Sequence, residues 1–454
     1  MKTDSFFDYL EENDLHYSLE TVENFLLSIK AKQFLILSGP SGTGKTRLAL
    51  NYAEYLNSDS NTRREVTLKT AIAKDRTMLS INNPKDFYRA FPRFKPSGQE
   101  FEIKLGNLTT NAEINIVPRI HVKGSTVKDV GTELDRLRND KDNPPHYNGD
   151  KPFTEFTLFF PEERGESFVV VPVGANWTES RHILGYKNPI TNEYVQTPAL
   201  TILEAAQAAP YHTFILILDE MNLSHVERYF SDILSAMESG EPILIDKEDN
   251  NLITIGPNLI IIGTVNQDET TYSFSPKVLD RANVIEFPQS DIHEVFSGNV
   301  NQDKPTGDVE FLVNPDNRAE ICNKTSREII EEMRKSNKNN VELLERMDSC
   351  LSSIQEILSP MGFAIGYRTI DEVMRFMYAA WLYEHKDLSA KFSRYLDAQI
   401  IQKILPKIHG NLSILNGLEK IKSILEKNEL PESKKKTEKM IEILKNQRYV
   451  SFNC

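Results

Sequence analysis

The chain has 454 residues, enough for two or three domains and a sizeable core. Its formal net charge of −13 excludes a general attraction to nucleic acid and leaves only a local basic surface, assembled for instance from several copies. Three scattered cysteines (Cys322, Cys350, Cys454) without metal-ligand spacing, no signal pattern in residues 1–33 and no apolar run near the roughly 20 residues that span a bilayer predict a cytoplasmic protein with reduced thiols and no membrane partner.

In chain order, residues 1–33 carry Val22, Phe25, Leu26 and Ile29 at helical spacing, which predicts a short lead-in helix on the core. An apolar run from Phe34 then meets Gly39-Pro40-Ser41-Gly42-Thr43-Gly44-Lys45-Thr46, followed by Leu48, Ala49, Tyr52, Ala53 and Leu56 at helical spacing. Strand, Gly-x-x-x-x-Gly-Lys-Thr and helix together make a phosphate cradle: backbone N–H groups and the helix N-terminus surround a triphosphate. Lys45 is placed to neutralise the β- and γ-phosphates, and Thr46 to set its hydroxyl on Mg²⁺.

Residues 62–165 differ from their surroundings. Stretches 100–105, 113–117 and 153–160 are β-rich and separated by Gly, Asn and Pro clusters, with 139–150 reading as a loop. They predict a β-rich insertion. The core resumes at residue 166 and runs to about 296, with short apolar runs at 168–173, 214–218, 259–265 and 283–287 and helical segments between most of them. Short runs apolar throughout suit strands buried on both faces, so 34–61 and 166–296 are expected to form an α/β three-layer core on a parallel sheet. Residues 297–308 read as an exposed loop. Residues 309–454 turn mostly helical, with amphipathic spacing at 341–358, 370–384 and 398–405 and a lysine cluster at 434–436 that reads as a solvated helix end.

Within the core, the second apolar run ends in Asp219-Glu220, a Walker B-like pair in which Asp219 would hold Mg²⁺ and Glu220 would polarise an attacking water. Ser224 and Glu227 predict a capping box for a helix with an inward stripe of Val226, Phe230, Ile233, Leu234 and Met237, ended by Gly240. The third run ends in Asn266, which can orient the water; Asp268 and Glu269 follow and can equally cap a turn. Ser275 and Pro276 open a short helix that delivers Arg281, suited either to a neighbouring subunit's γ-phosphate or to a salt bridge with Asp280 or Glu286. Further on, Arg368 precedes a long helix for which Thr369 and Glu372 predict a second capping box, and it can reach back over the phosphates as a lid closes.

This order of motifs resembles the AAA+ superfamily, and within it the McrB-type branch, the motor subunits of modification-dependent restriction systems. The residues that carry the likeness are GPSGTGKT (39–46), LILDEMNLSHVERYFSDILSAME (216–238), GTVNQDET (263–270), VLDRANVIEF (278–287) and GYRTIDEVMRF (366–376), with Asn176-Trp177-Thr178 and Leu184-Gly185-Tyr186. The likeness spans 34–61, 168–300 and a lid to about 410, not the 62–165 insertion. It implies an AAA+ core with a helical lid, Asn266 as sensor 1, Arg281 as arginine finger and Arg368 as sensor 2. It also implies a hexameric ring with NTP between subunits, an McrC-like partner carrying the nuclease, and DNA, modified or not, as the translocated substrate. Where McrB has Met-Asn-Thr-Ala-Asp-Arg, this chain has Val265-Asn266-Gln267-Asp268-Glu269-Thr270, so ATP and GTP are both open as the nucleotide. Two other readings stand beside the motor: a MoxR-like ATPase that remodels a protein complex, and a nucleotide-gated assembly scaffold.

Overall fold

The computed structural model describes residues 5–57, 64–71, 78–80, 100–105, 108–116, 119–122, 132–133, 136, 146–148, 151–160, 167–210, 212–246, 251–267, 272, 274–288, 304–315 and 318–452. They form two compact units. One comprises 1–55, 168–204 and 213–454, the other 56–167 with 205–212.

The first unit is built on a parallel sheet of strands β1 (Phe34–Gly39), β2 (Phe168–Pro172), β3 (Phe214–Asp219), β4 (Leu259–Asn266) and β5 (Asn283–Glu286). Their spatial order is β5-β1-β4-β3-β2. The continuous apolar runs are explained by burial on both faces: Phe34, Leu35, Ile36, Leu37, Leu216, Ile217, Leu218, Ile260, Ile261 and Ile262 all have zero exposure. Each such side chain contributes about 1.5–3 kcal/mol of burial energy, which pins β1, β4 and β3 together as the centre of the core. Many helices accompany the sheet, so the chain is α/β, compatible with a three-layer core.

The lead-in region is two helices, Phe6–Glu12 and Leu19–Ala31, where the sequence predicted one. Val22, Phe25, Leu26 and Ile29 are buried as expected. The first helix escaped notice because its apolar stripe is only Phe6 and Leu10, yet Phe6 stacks edge-on against Tyr52 at 5.3 Å.

Both predicted capping boxes give way to tertiary partners. The segment after Glu220 is a 3₁₀ turn (Met221–Leu223) and two short helices, Val226–Tyr229 and Ser231–Ser239. Ser224 is not the N-cap of the following helix, a position His225 takes; its hydroxyl donates to the carbonyl of Trp177. Gly240 does end the segment, in the left-handed conformation at φ 71°. The helix Tyr367–Tyr383 starts two residues before Thr369, with Gly366 at its N-cap. Thr369 instead accepts from Lys407 Nζ at 2.8 Å, and Glu372 is buried between Lys32 and Lys403. A complete capping box does occur at Thr325 and Glu328.

The helical part includes Ser326–Ser336, Lys338–Leu358, Tyr367–Tyr383, Phe392–Gln399, Leu415–Lys427 and Pro431–Gln447. Residues 400–404 continue from Gln399 as a π-helical turn. The lysine cluster lies near the start of the last of these helices, and only part of it is solvated: Lys435 is exposed and Lys434 pairs with Glu426, but Lys436 is buried, bonds Glu286 at 2.6 Å and lies over the Phe452 ring. Of the cysteines, Cys322 and Cys350 are free thiols; Cys454 lies outside the described residues, as do Asp268, Glu269 and 297–303.

In the second unit the described residues make a seven-stranded sheet. Strand 151–160 pairs antiparallel with 64–71, 100–105 and 146–148; beyond 100–105 the order continues through 108–116, 119–122 and 78–80. The stretches read as β-rich at 100–105 and 153–160 fall on these strands, as does 113–116 of the stretch 113–117; residue 117 lies outside the described residues. Of the loop read at 139–150, residues 146–148 are strand and the others lie outside the described residues. Among the described residues, no helix is long and apolar enough to cross a membrane.

Glu372 is 3% exposed and faces two ammonium groups whose pKa values burial lowers, that of Lys403 to about 7. Removing one partner of a buried ion pair strands the others. Glu372→Ala is therefore expected to cost about 3–5 kcal/mol in urea unfolding, and Lys32→Met with Glu372→Met clearly less than the single change.

Candidate functional site

The candidate site is assembled at the C-terminal ends of three adjacent strands. β1 runs into the loop 39–46, β3 ends in Asp219, and β4, hydrogen-bonded to both, ends in Asn266, which pairs in register with Gly39. Parallel pairing thus brings residues over 220 positions apart to one edge of the sheet, where the last polar residue of each strand leaves the apolar core.

The loop is closely packed at its two ends and open at its tip, where Ser41 and Gly42 are exposed. A Cβ on Gly39 would stand 2.8 Å from the carbonyl oxygen of Phe287, and Gly44, at φ +86°, would put one 2.8 Å from Tyr17 Oη. Both positions therefore exclude a side chain, and Gly44 has a backbone conformation suited to glycine as well. Tyr17 donates to the Gly44 carbonyl at 2.9 Å, and burial lifts its phenol to about 12. Lys45, 4% exposed, opens the helix Lys45–Asn57 and donates to the carbonyls of Gly39 (3.0 Å) and Pro40 (2.5 Å). Burial lowers its pKa, while Asp219 and Glu220 act in the opposite sense.

Asp219 is the hub. One carboxylate oxygen accepts from Thr46 Oγ1 and from Thr264 Oγ1, each at 2.7 Å. Thr264 in turn accepts from the backbone N–H of Glu220 at 3.0 Å. Asn266 donates its amide to Glu220 Oε1 at 3.0 Å, and Asn222 donates to the Asn266 carbonyl at 3.1 Å. Glu220 sits in the left-handed region (φ 51°, ψ 47°), rare for a non-glycine residue and typically costing 1–3 kcal/mol. The Thr264 bond to its N–H and the Asn266 bond to its side chain hold it there.

Of the residues the sequence singles out, Thr46, Asp219, Glu220 and Asn266 come together with Lys45 in the structure. Thr264, Asn222 and Gln267 join them without being singled out by the sequence, the last donating to Ser38 Oγ at 3.0 Å. Thr264 had a signal: two positions before Asn266 on a strand, it shares that residue's face. Asn222 and Gln267 had none, because both act through contacts distant in sequence.

The two arginines lie elsewhere. Arg281 precedes Asn283, the neighbour of Leu35 in the sheet, and with Arg368 it lines a cleft beside Gln33 and Phe34 at the start of β1. The P-loop leaves the other end of β1, about 17 Å away at a strand rise of roughly 3.3 Å per residue. Arg368 thus stands beside Arg281 rather than over the phosphate loop of its own chain. Arg281 forms a salt bridge, as the structural alternative had it, but with Glu238; Asp280 pairs with Lys407 at 2.7 Å and Glu286 with Lys436.

The donor set suits Mg²⁺. A threonine hydroxyl and a carboxylate are hard oxygen ligands, they converge on one point, and two protein ligands leave room for the waters and phosphate oxygens that Mg²⁺ retains. Among the described residues, no cluster of three or more His, Cys, Asp or Glu side chains forms a metal cage.

A family model described as a domain of unknown function (DUF8727) matches residues 319–449. That range takes in the helical part with Arg368 but not the phosphate loop or Asp219. No curated protein matches the chain.

Thr264 is 2% exposed and bridges two groups, so Thr264→Val leaves the Glu220 N–H without its acceptor. The expected loss is about 1–3 kcal/mol in denaturant unfolding, with Thr264→Ser recovering most of it.

Proposed function

We propose that this chain is an AAA+ NTPase of the McrB type, which assembles into a ring and couples hydrolysis of ATP or GTP to DNA translocation beside an McrC-like nuclease subunit. The observation that carries the hydrolytic part is the contact chain Thr46–Asp219–Thr264–Glu220–Asn266, set beside Lys45 at one end of the sheet. A site that only bound nucleotide would need no buried threonine joining the carboxylate to a strained glutamate, nor an amide holding that glutamate's side chain. The hexameric ring, the partner nuclease and DNA rest on the sequence resemblance alone.

On this reading the loop N–H groups and Lys45 bind the β- and γ-phosphates. Thr46 Oγ1 and Asp219 Oδ1 would hold Mg²⁺, which supplies charge neutralisation at the phosphate oxygens. Glu220, aimed by Asn266 and fixed by Thr264, takes the proton of the attacking water, and the Asn266 amide keeps that carboxylate from turning away. Arg281 and Arg368, remote from the loop of their own chain, serve the nucleotide of an adjacent copy, where a guanidinium offsets charge building on the transferred phosphoryl group.

The decisive experiment is phosphate release with ATP and with GTP, each with and without DNA. DNA-stimulated turnover supports the motor; turnover indifferent to DNA favours the MoxR-like remodelling alternative; no turnover with either nucleotide across protein concentrations sinks the hydrolase reading and leaves the scaffold. Glu220→Gln is expected to keep nucleotide binding and lower turnover about 10²–10⁴-fold, the usual worth of a general base. Arg281→Ala should bind nucleotide but not hydrolyse it, with activity partly restored on mixing with Glu220→Gln protein. Absence of rescue at every mixing ratio would count against action between subunits.

A further inference from the structure

Glu238 lies in the last turn of the helix Ser231–Ser239, and its two carboxylate oxygens go to two different arginines. Oε2 faces Nη2 of Arg281, and Oε1 accepts from Nη2 of Arg368 at 2.5 Å. The three residues come from three separate elements: the helix after the Asp219 strand, the turn before β5, and the first turn of Tyr367–Tyr383. No local feature of the sequence pairs them.

The surroundings make this carboxylate consequential. The cleft, of about 300 Å³, is lined by Lys32, Arg281, Arg318, Arg368 and Arg375, against which stand only Glu238 and Glu372 among its acidic lining residues. Glu372 is already committed to Lys32 and Lys403. Arg281 is 18% exposed; its Nη1 donates to the Lys277 carbonyl at 2.7 Å, and burial, then the nearby Arg368 charge, lowers its pKa. Two guanidinium groups this close repel each other unless an anion stands between them. In the separate chain that anion is Glu238.

We propose that Glu238 is a positioning residue for the arginine pair: it bridges Arg281 and Arg368 in the separate chain and yields both to the phosphate of a neighbouring copy's nucleotide. This rests on the proposed function for the identity of the incoming anion. The exchange is chemically even-handed. A carboxylate with one negative charge and two acceptor oxygens is replaced by a terminal phosphate with more charge and three, so each guanidinium has an anionic partner both before and after the exchange. The bridge brings both side chains together before assembly and also competes with it, since each arginine must leave Glu238 to reach the phosphate.

Two measurements test this. The first needs no hydrolysis: arginine-selective modification with phenylglyoxal, mapped by peptide mass spectrometry on nucleotide-free protein. Arg281 and Arg368 should react slowly in the wild type and several-fold faster in Glu238→Gln, with the other arginines unchanged. Equal rates in the two proteins would overturn the bridge. The second is phosphate release as a function of protein concentration. Glu238→Gln should reach half-maximal turnover at a several-fold lower concentration than wild type. A turnover curve unmoved or shifted to higher concentration would overturn the competition. If the wild type hydrolyses neither nucleotide, the proposed function fails, and with it the yielding of the arginines to phosphate; the modification rates still decide whether Glu238 holds the pair.

Discussion

Burial of β1, β3 and β4 on both faces is the constraint from which the site follows. Residues 34–37, 214–218 and 259–262 are almost wholly apolar and withdrawn from water, so they offer no place for a charged or strongly polar side chain. Polar groups are admitted only where the strands end. Parallel pairing with Gly39 opposite Asn266 then makes the three ends coincide. Thr264 is the exception that fits the rule: its hydroxyl, inside the strand and 2% exposed, is satisfied twice, by Asp219 and by the Glu220 N–H.

A second layer of constraint comes from buried charge in the helical part. Glu372, Lys32 and Lys403 form a buried cluster, and Lys403 also donates to the carbonyl of Ala282 at 2.8 Å. Lys407 pairs with Asp280 and donates to Thr369. The turn that carries Arg281 is therefore fastened on both sides to the elements that carry Arg368. Buried ion pairs add little net stability, because desolvation offsets their attraction. Their effect here is placement: a helix slid by one turn would strand at least one buried charge.

The consequence is a chain with two poles. One end of the parallel sheet carries the phosphate loop and the Asp219–Glu220–Asn266 chain of contacts; the other carries a cationic cleft with Arg281, Arg368 and a bridging carboxylate. Under the proposed function these are complementary halves of one site shared between copies. The net charge of −13 is no obstacle, since the positive charge that matters is local and held next to Glu238 and Glu372.

The sequence by itself determined the strands, the glycine-rich loop and the membership of Lys45, Thr46, Asp219, Glu220 and Asn266 in one cluster. These are local signals: an apolar run reports a strand buried on both faces, and a glycine-rich turn before a helix reports a phosphate cradle. Tertiary structure alone decided the rest. Ser224, Thr369 and Glu372 have the spacing of capping residues, but Trp177, Lys407 and the buried lysines offered them other partners, and a cap worth about 1 kcal/mol does not outweigh a buried charge left unpaired. Lys436 looked like part of a solvated run and is buried against Glu286 and Phe452. Arg281 had two acidic residues close by in sequence and took Glu238 instead, because β-strand register and helix packing, not sequence distance, set which carboxylate comes within hydrogen-bonding range.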